Sequence, residues 1–85
     1  MASISVIVPV LNEEGEIERV LRHLSDEQPH ELIVADGGSA DRTAVIARRL
    51  ATVVESEPGR GIQLNAGARA ATGELLLFVH ADCRL

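Results

Sequence analysis

The residues that could do chemistry in this sequence are carboxylates, a histidine and an arginine, each placed after an apolar run or between glycines. Asp36 ends the second apolar run, and His80 and Asp82 follow the last one. Arg60 stands between two glycines. Divalent cations such as Mg²⁺ take oxygen ligands and commonly join one or two protein carboxylates to substrate phosphates. Asp82 suits that role, so the pattern predicts a site that binds a phosphorylated ligand through a metal.

Two common phosphate-binding loops do not occur in the sequence. The segment after the first apolar run is Pro-Val-Leu-Asn-Glu-Glu-Gly over residues 9–15, which is not the G-x-G-x-x-G fingerprint of dinucleotide-binding proteins. Gly59, Gly61 and Gly67 do not match that fingerprint, and no Gly-Lys-Ser/Thr occurs. The sequence therefore favours phosphate held through a metal over phosphate held in a glycine cradle.

Alternating strands and helices must position these residues. Strands are predicted over Ile4–Val10, Glu31–Asp36, 52–56 and 75–79, and helices over 14–24, 43–50 and 62–71. The first helix carries apolar residues at the spacing i, i+3, i+4, i+7, which is typical of an amphipathic helix. Asp41 is predicted to cap the second helix. This alternation predicts an α/β fold with an open parallel sheet in the order β-α-β-α-β-α-β.

Ligands of open parallel sheets bind at the carboxyl ends of the strands. The polar residues of this sequence follow the predicted strands at those ends, which predicts an acidic, glycine-lined cleft there. These residues are Pro9, Asn12, Glu13, Glu14, Asp36, Arg60, Gly61, His80 and Asp82.

Composition limits the classes of function. The 85 residues fit one small domain, and the formal net charge is −5 with arginine as the only strongly basic residue type. An acidic chain without a basic run is a poor candidate for nucleic-acid binding. The single cysteine excludes an intrachain disulfide and fits a reducing compartment. No signal peptide or membrane-spanning run is found, so a cytoplasmic location is expected.

The last predicted strand, over residues 75–79, is apolar at every position. A strand without a polar face needs cover on both sides, and an uncovered apolar edge strand promotes aggregation. We therefore expect the chain to be truncated, with the covering elements in a longer parent protein. Association into a homo-oligomer is the alternative.

Four motifs, in order, resemble the N-terminal half of family 2 glycosyltransferases with the GT-A fold. They are Ile-Val-Pro-Val-Leu-Asn-Glu-Glu at 7–14, Ile-Val-Ala-Asp-Gly-Gly-Ser-Ala-Asp-Arg-Thr at 33–43, Gly-Arg-Gly with Asn65 and Gly67 at 59–67, and Phe-Val-His-Ala-Asp at 78–82. The resemblance covers nearly the whole chain. It implies that residues 1–85 are the nucleotide-sugar-binding part of a glycosyltransferase domain and that the acceptor-binding part is absent.

The resemblance also implies a role for each matching position in holding a nucleotide-sugar donor, with UDP favoured over GDP. Pro9 and Asn12 would line the nucleoside pocket, and Glu14 could reach the ribose hydroxyls. Asp36 would accept a hydrogen bond from the base. Arg60 would lie near the base or the diphosphate, with Asn65 helping to hold its loop.

The implied metal, Mg²⁺ or Mn²⁺, would be bound to the diphosphate by Asp82. Two positions depart from the family pattern. Many members carry a second acidic residue where this chain has Gly37, and the Asp-x-Asp metal motif is His80-Ala81-Asp82 here. A branch of the family uses this His form, and imidazole suits Mn²⁺ better than Mg²⁺. His80 could instead contact the diphosphate or an aspartate without binding the metal.

The implied reaction is displacement at the anomeric carbon of the donor sugar, with the metal stabilising the departing nucleoside diphosphate. A general base would deprotonate an acceptor hydroxyl, and in the family that base comes from a later segment. The isolated chain is therefore expected to be inactive, and the acceptor is unknown. Two alternatives remain open: a different nucleotide-sugar enzyme such as a nucleotidyltransferase, and a non-catalytic truncated product.

Overall fold

A four-stranded parallel sheet forms the centre of the protein. The computed structural model describes residues 2–81. Its strands are β1 (Ile4–Val10), β2 (Glu31–Asp36), β3 (Thr52–Glu55) and β4 (Leu75–Phe78), and its helices are α1 (Ile17–Asp26), α2 (Thr43–Arg48) and α3 (Arg60–Ala70). The strand order is β3-β2-β1-β4 with every pairing parallel. The predicted α/β fold and its alternation of strands and helices are confirmed.

The register of the sheet aligns the carboxyl ends of β1, β2 and β3, which are neighbours in the sheet. Val10, the last residue of β1, is opposite Asp36, the last residue of β2. Asp36 is in turn opposite Glu55, the last residue of β3. The loops that leave these strands therefore start at one edge of the sheet, which is the edge where the sequence predicts the cleft.

Helices lie on both faces of the sheet. Alternate residues of a strand point to opposite faces, and one face of β1 and β2 forms the main apolar cluster with α1 and α2. This cluster includes Val6, Val8, Val10, Ile17, Leu21, Val34 and Ala47. Helix α3 packs on β1, β2 and β3. Gly67 of α3 is buried against β1, so closely that an added Cβ atom would overlap the Ile7 side chain.

The ends of several elements differ from the predictions by one to three residues. Helix α1 begins at Ile17 rather than at residue 14, because the chain first makes a turn in which the amides of Glu16 and Ile17 both donate to Glu13 O at 2.9 Å. Helix α2 ends at Arg48 and α3 begins at Arg60. The differences at the other helix ends are one or two residues, because helix ends fray.

The predicted N-cap of α2 is displaced by one residue. Arg42 stands directly before the helix, but its side chain makes no cap hydrogen bond. Asp41 nevertheless accepts the hydrogen bond of the first helical amide, since Thr43 N donates to Asp41 Oδ1 at 2.9 Å. The carboxylate therefore acts on the helix start from just outside the helix.

Strand β4 is the edge strand next to β1. Its four apolar side chains, Leu75 to Phe78, are 42% to 54% exposed. Both faces of this strand are therefore open to solvent within residues 2–81. None of the helices within residues 2–81 has the length and apolar character of a membrane span.

Candidate functional site

Asp36 is the central carboxylate of the candidate site. It ends β2 and is only 3% exposed. Ser39 holds it from the following turn: Ser39 Oγ donates to Asp36 Oδ1 at 2.5 Å, and Ser39 N donates to both carboxylate oxygens at 3.2 and 3.4 Å. Each carboxylate oxygen can accept more than one hydrogen bond. Asp36 is thus fixed in orientation and retains acceptor capacity for a ligand.

Asn12 joins the loop after β1 to the same turn. Its backbone has φ of 54°, in the left-handed region that asparagine tolerates better than most residues. Asn12 N donates to Ser39 Oγ at 2.9 Å, and Asn12 Oδ1 accepts from Ala40 N at 2.8 Å. Ser39 therefore connects Asn12 to Asp36 through its own hydroxyl group.

Glu14 is exposed and takes part in a second set of bonds between the same two loops. Its Oε2 accepts from Arg42 N at 3.2 Å, and its own amide donates to Asp41 Oδ2 at 3.3 Å. Glu13 N donates to Thr43 Oγ1 at 2.7 Å. A hydrogen bond from the Thr43 hydroxyl lowers the pKa of Asp41 below its ordinary value. The loops after β1 and β2 therefore form one connected polar surface.

Gln63 of α3 is part of this edge of the sheet and was missed by the sequence analysis. The side chain is 5% exposed, and its Nε2 donates to Val10 O at 2.8 Å and to Ala35 O at 2.9 Å. Its Oε1 accepts from Gly59 N at 3.2 Å. A signal in the sequence was the position of this polar residue one helical turn after Gly59, which directly precedes α3.

Of the remaining residues predicted to bind the nucleotide sugar, Pro9 and Asn65 lie on the predicted strand and helix, whereas Arg60 belongs to α3 and not to the loop in which it was expected. Pro9 is half-buried on β1, opposite Ala35 of β2. Arg60 is exposed as the first residue of α3, next to Gly59, which Gln63 holds. Asn65 is exposed on the same helix. Ser39 links Asn12 to Asp36, and Glu14 bonds to Asp41 and Arg42 of the loop that follows Asp36.

The predicted metal ligands are only partly described. His80 is exposed, two residues after the end of β4. Asp82 lies outside the described residues. Within residues 2–81, no three His, Cys, Asp or Glu side chains gather in a group that could hold a metal ion.

This arrangement offers a ligand buried carboxylate oxygens, exposed backbone loops and an arginine at one edge of a parallel sheet. The sequence profile of glycosyl transferase family 2 matches residues 5–85. The chain belongs to this family. The predicted family resemblance is thereby confirmed, and the branch with the His-Ala-Asp motif stays a prediction.

Curated relatives of this family 2 chain are glycosyltransferases. It is 36% identical to 4,4'-diaponeurosporenoate glycosyltransferase of Staphylococcus haemolyticus, over 98% of this chain and 25% of that protein. It is 38% identical to glucosyl-3-phosphoglycerate synthase of Mycobacterium tuberculosis, over 94% of this chain and 29% of that protein. The family 2 chain therefore spans about a third or less of the length of these relatives.

Solved structures of the mycobacterial synthase share this fold. The crystal structure of that synthase with Mn²⁺, UDP-glucose and phosphoglyceric acid superposes on the family 2 chain with a TM-score of 0.87 at 35% identity. The superposition covers 95% of this chain and 33% of that protein. A second complex, with Mn²⁺, UDP and glucosyl-3-phosphoglycerate, gives a TM-score of 0.85.

Proposed function

We propose that this chain is the donor-binding half of a metal-assisted glycosyltransferase that uses a nucleotide sugar, with UDP-sugar favoured over GDP-sugar. Family membership supports transferase chemistry. The UDP-glucose and Mn²⁺ bound by the mycobacterial synthase support the donor and the metal. The acceptor is not assigned, since the resemblance does not extend to an acceptor-binding part.

The observation that carries this proposal is the fixed, buried carboxylate of Asp36 at the end of β2. Ser39 orients both of its oxygens, and Asn12 is bonded to the same hydroxyl. A carboxylate held in this way can accept a hydrogen bond from the N–H of a pyrimidine base. Its side chain is already ordered, so binding does not cost further conformational entropy there. Uracil offers one such N–H, and Glu14 is exposed beside the loop for the ribose hydroxyls.

The metal would be held by Asp82, with His80 as a further ligand or as a contact to the diphosphate. A carboxylate fits either Mn²⁺ or Mg²⁺ that also binds phosphate oxygens, and an imidazole ligand would favour Mn²⁺. When bound, the metal would supply charge stabilisation to the departing diphosphate. Arg60 would add a positive charge near the same group.

We also propose that the complete enzyme is longer than residues 1–85 and that this chain does not transfer sugar by itself. The open apolar faces of β4 support this view, because a covering layer would bury them. A general base for the acceptor hydroxyl is expected outside these residues. A cytoplasmic location fits the single cysteine.

Equilibrium binding of UDP tests the proposal. We expect the wild-type chain to bind UDP in the presence of Mg²⁺, and Asp36→Asn to bind at least about tenfold more weakly, since a lost charged hydrogen bond costs about 1.5–3 kcal/mol. Asp26→Asn, at the last residue of α1, is the matched control and should bind as the wild type does. Wild-type protein that is folded but does not bind UDP would contradict the proposal.

A non-catalytic truncated product is the second candidate, and the exposed β4 favours it. The two candidates differ in whether residues 1–85 are part of a longer, active enzyme, as the first proposal states. A reading frame that continues beyond codon 85 in the genome and restores sugar transfer when expressed would exclude the non-catalytic alternative.

A further inference from the structure

Gln63 makes all of its side-chain hydrogen bonds to backbone groups at the carboxyl edge of the sheet. Its two Nε2 hydrogens are used by Val10 O, in the last residue of β1, and by Ala35 O, next to the last residue of β2. Its Oε1 is used by Gly59 N, at the start of α3. The Gln63 amide therefore has a partner in each of three segments that lead into the candidate site.

The bond to Gly59 also fixes the start of α3. Gln63 N donates to Gly59 O at 2.9 Å while Gln63 Oε1 accepts from Gly59 N, so the two residues are joined twice. A side chain that reaches back to the N-cap amide is the second half of a capping box, here one position later than usual. The position of the adjacent Arg60 depends on this contact.

Gln63 also occupies the space next to Gly37. A Cβ atom added at Gly37 would lie 2.8 to 3.0 Å from Gln63 Cδ, Oε1 and Nε2, closer than real Cβ contacts allow. Gly37 is itself buried and donates its amide to Val10 O at 3.0 Å, the same carbonyl that Gln63 binds. A side chain at position 37 and the present Gln63 rotamer therefore exclude each other.

We propose that Gln63 is a positioning residue of the donor site. Its side chain lies in the space that a Cβ atom at Gly37 would fill, and there it sets the relative positions of the loops that carry Asn12, Asp36 and Arg60. This inference rests on the proposed donor-binding function. Gln63 does not touch the donor in this account, because its amide hydrogens and one oxygen lone pair are already used by the backbone. It acts through the three loops that it joins.

The first test replaces the amide and keeps the shape. Gln63→Met is expected to weaken UDP binding about tenfold and to shift the amide resonance of Gly59, because the three backbone groups lose their common partner. Leu64→Ala, at the next position of α3, is the control for a general loss of packing. It should lower Tm and leave UDP affinity within about twofold, provided that the protein remains folded at the assay temperature.

The second variant keeps the test decisive if Gln63→Met does not fold. Gln63→Glu preserves the length and the acceptor for Gly59 N but, when ionised, points a carboxylate at two carbonyl oxygens. The pKa of this carboxyl would therefore be raised, and protonation would restore one donor. UDP affinity relative to wild type should improve as the pH is lowered from about 8 to about 6.

The contact with Gly37 is tested by a double-mutant cycle on Tm. Gly37→Ala should lower Tm markedly in the wild-type chain and much less in the Gln63→Ala background, where the clash is gone. Equal effects in both backgrounds would overturn the part of the inference that concerns Gly37.

The outcomes separate the two proposals. Wild-type protein that does not bind UDP would overturn the donor-binding function, and the inference with it. Wild-type protein that binds UDP, together with Gln63 variants that fold and bind equally well at every pH, would overturn the positioning role alone.

Discussion

At the scale of single residues, the hydroxyl of Ser39 connects the two halves of the candidate nucleoside site. It donates to Asp36 Oδ1 and accepts from Asn12 N. A side chain that uses both its donor and its acceptor in this way determines the orientation of Asp36 as well as the position of the Asn12 loop. Ser39 therefore contributes to donor binding without being required to touch the donor.

We predict that Ser39→Ala weakens UDP binding by about five- to tenfold, because the loss of one partner from a part-buried network costs about 1–1.5 kcal/mol. Titration calorimetry measures the change. Ser25→Ala, on the exposed end of α1, is the control and should leave the affinity unchanged. Equal affinity of Ser39→Ala and wild type would show that Asp36 does not need this orientation.

Sequence patterns predicted some site residues better than others. Asp36 could be predicted because it ends an apolar run, and the structure confirms its place at the end of β2. Gln63 could not be predicted in the same way, because a glutamine in a helix is ordinarily solvent-exposed and only the close approach of α3 to β1 buries it. The donor and metal roles of the predicted residues stay predictions.

At the scale of elements, Glu31 connects the amino-terminal edge of the sheet to the segment between α3 and β4. Its carboxylate accepts hydrogen bonds from Thr72 N and Thr72 Oγ1 and from Ser5 Oγ, the last at 2.7 Å. The bond from the backbone of Thr72, followed by that from the Ser5 hydroxyl, lowers the pKa of Glu31 below its ordinary value of 4.5. This contact helps to fix where β4 enters the sheet.

We predict an acid-dependent loss of stability that involves Glu31. Because its pKa is lower in the folded chain than in the unfolded chain, the ionised carboxylate stabilises the fold above pH 4.5, and this contribution is lost as the pH falls through the folded pKa. The unfolding free energy, measured by urea titration, should therefore decrease less steeply with falling pH below 4.5 in Glu31→Gln than in the wild type. Glu57→Gln, in an exposed loop, should retain the wild-type slope, and an unchanged slope in Glu31→Gln would refute the assignment.

The elements themselves were predicted closely where the apolar pattern is continuous. The bounds of β1 and β2 are those predicted. In β2, Glu31 and Asp36 enclose the apolar residues 32–35, and β1 is a mostly β-branched run that leads into the polar segment starting at Asn12. The start of α1 was predicted three residues too early, since Glu14, Gly15 and Glu16 continue the polar face but are used in a turn that bonds to Glu13 O. Backbone hydrogen bonds of this kind leave no signal in residue types.

At the scale of the whole molecule, the sheet is covered on three strands and open on the fourth. Helices pack on β1, β2 and β3, whereas Leu77 of β4 is 51% exposed and Phe78 is 46% exposed. An apolar edge strand exposes unpaired backbone N–H and C=O groups together with apolar side chains, and a second chain can pair with both. The chain should therefore associate with itself when its proposed covering segments are absent.

We predict concentration-dependent association of the wild-type chain in sedimentation velocity. Leu77→Lys should shift the protein toward the monomer, because a charged side chain on an edge strand opposes strand pairing. Val45→Lys makes the same charge change at a residue of similar exposure on α2 and should not prevent association. A wild-type chain that remains monomeric at every concentration would mean that β4 tolerates exposure.

The loops at the carboxyl edge of the sheet are proposed to form a UDP-binding site. The most direct measurement is a ¹⁵N–¹H correlation spectrum of the wild-type chain titrated with UDP and Mg²⁺. Saturable shifts are expected at Gly37, Ser39 and Arg60, whereas His23, in the last turn of α1, and Glu31, the first residue of β2, should not move. A dispersed spectrum of a folded chain in which none of the first three amides responds would overturn the proposed site.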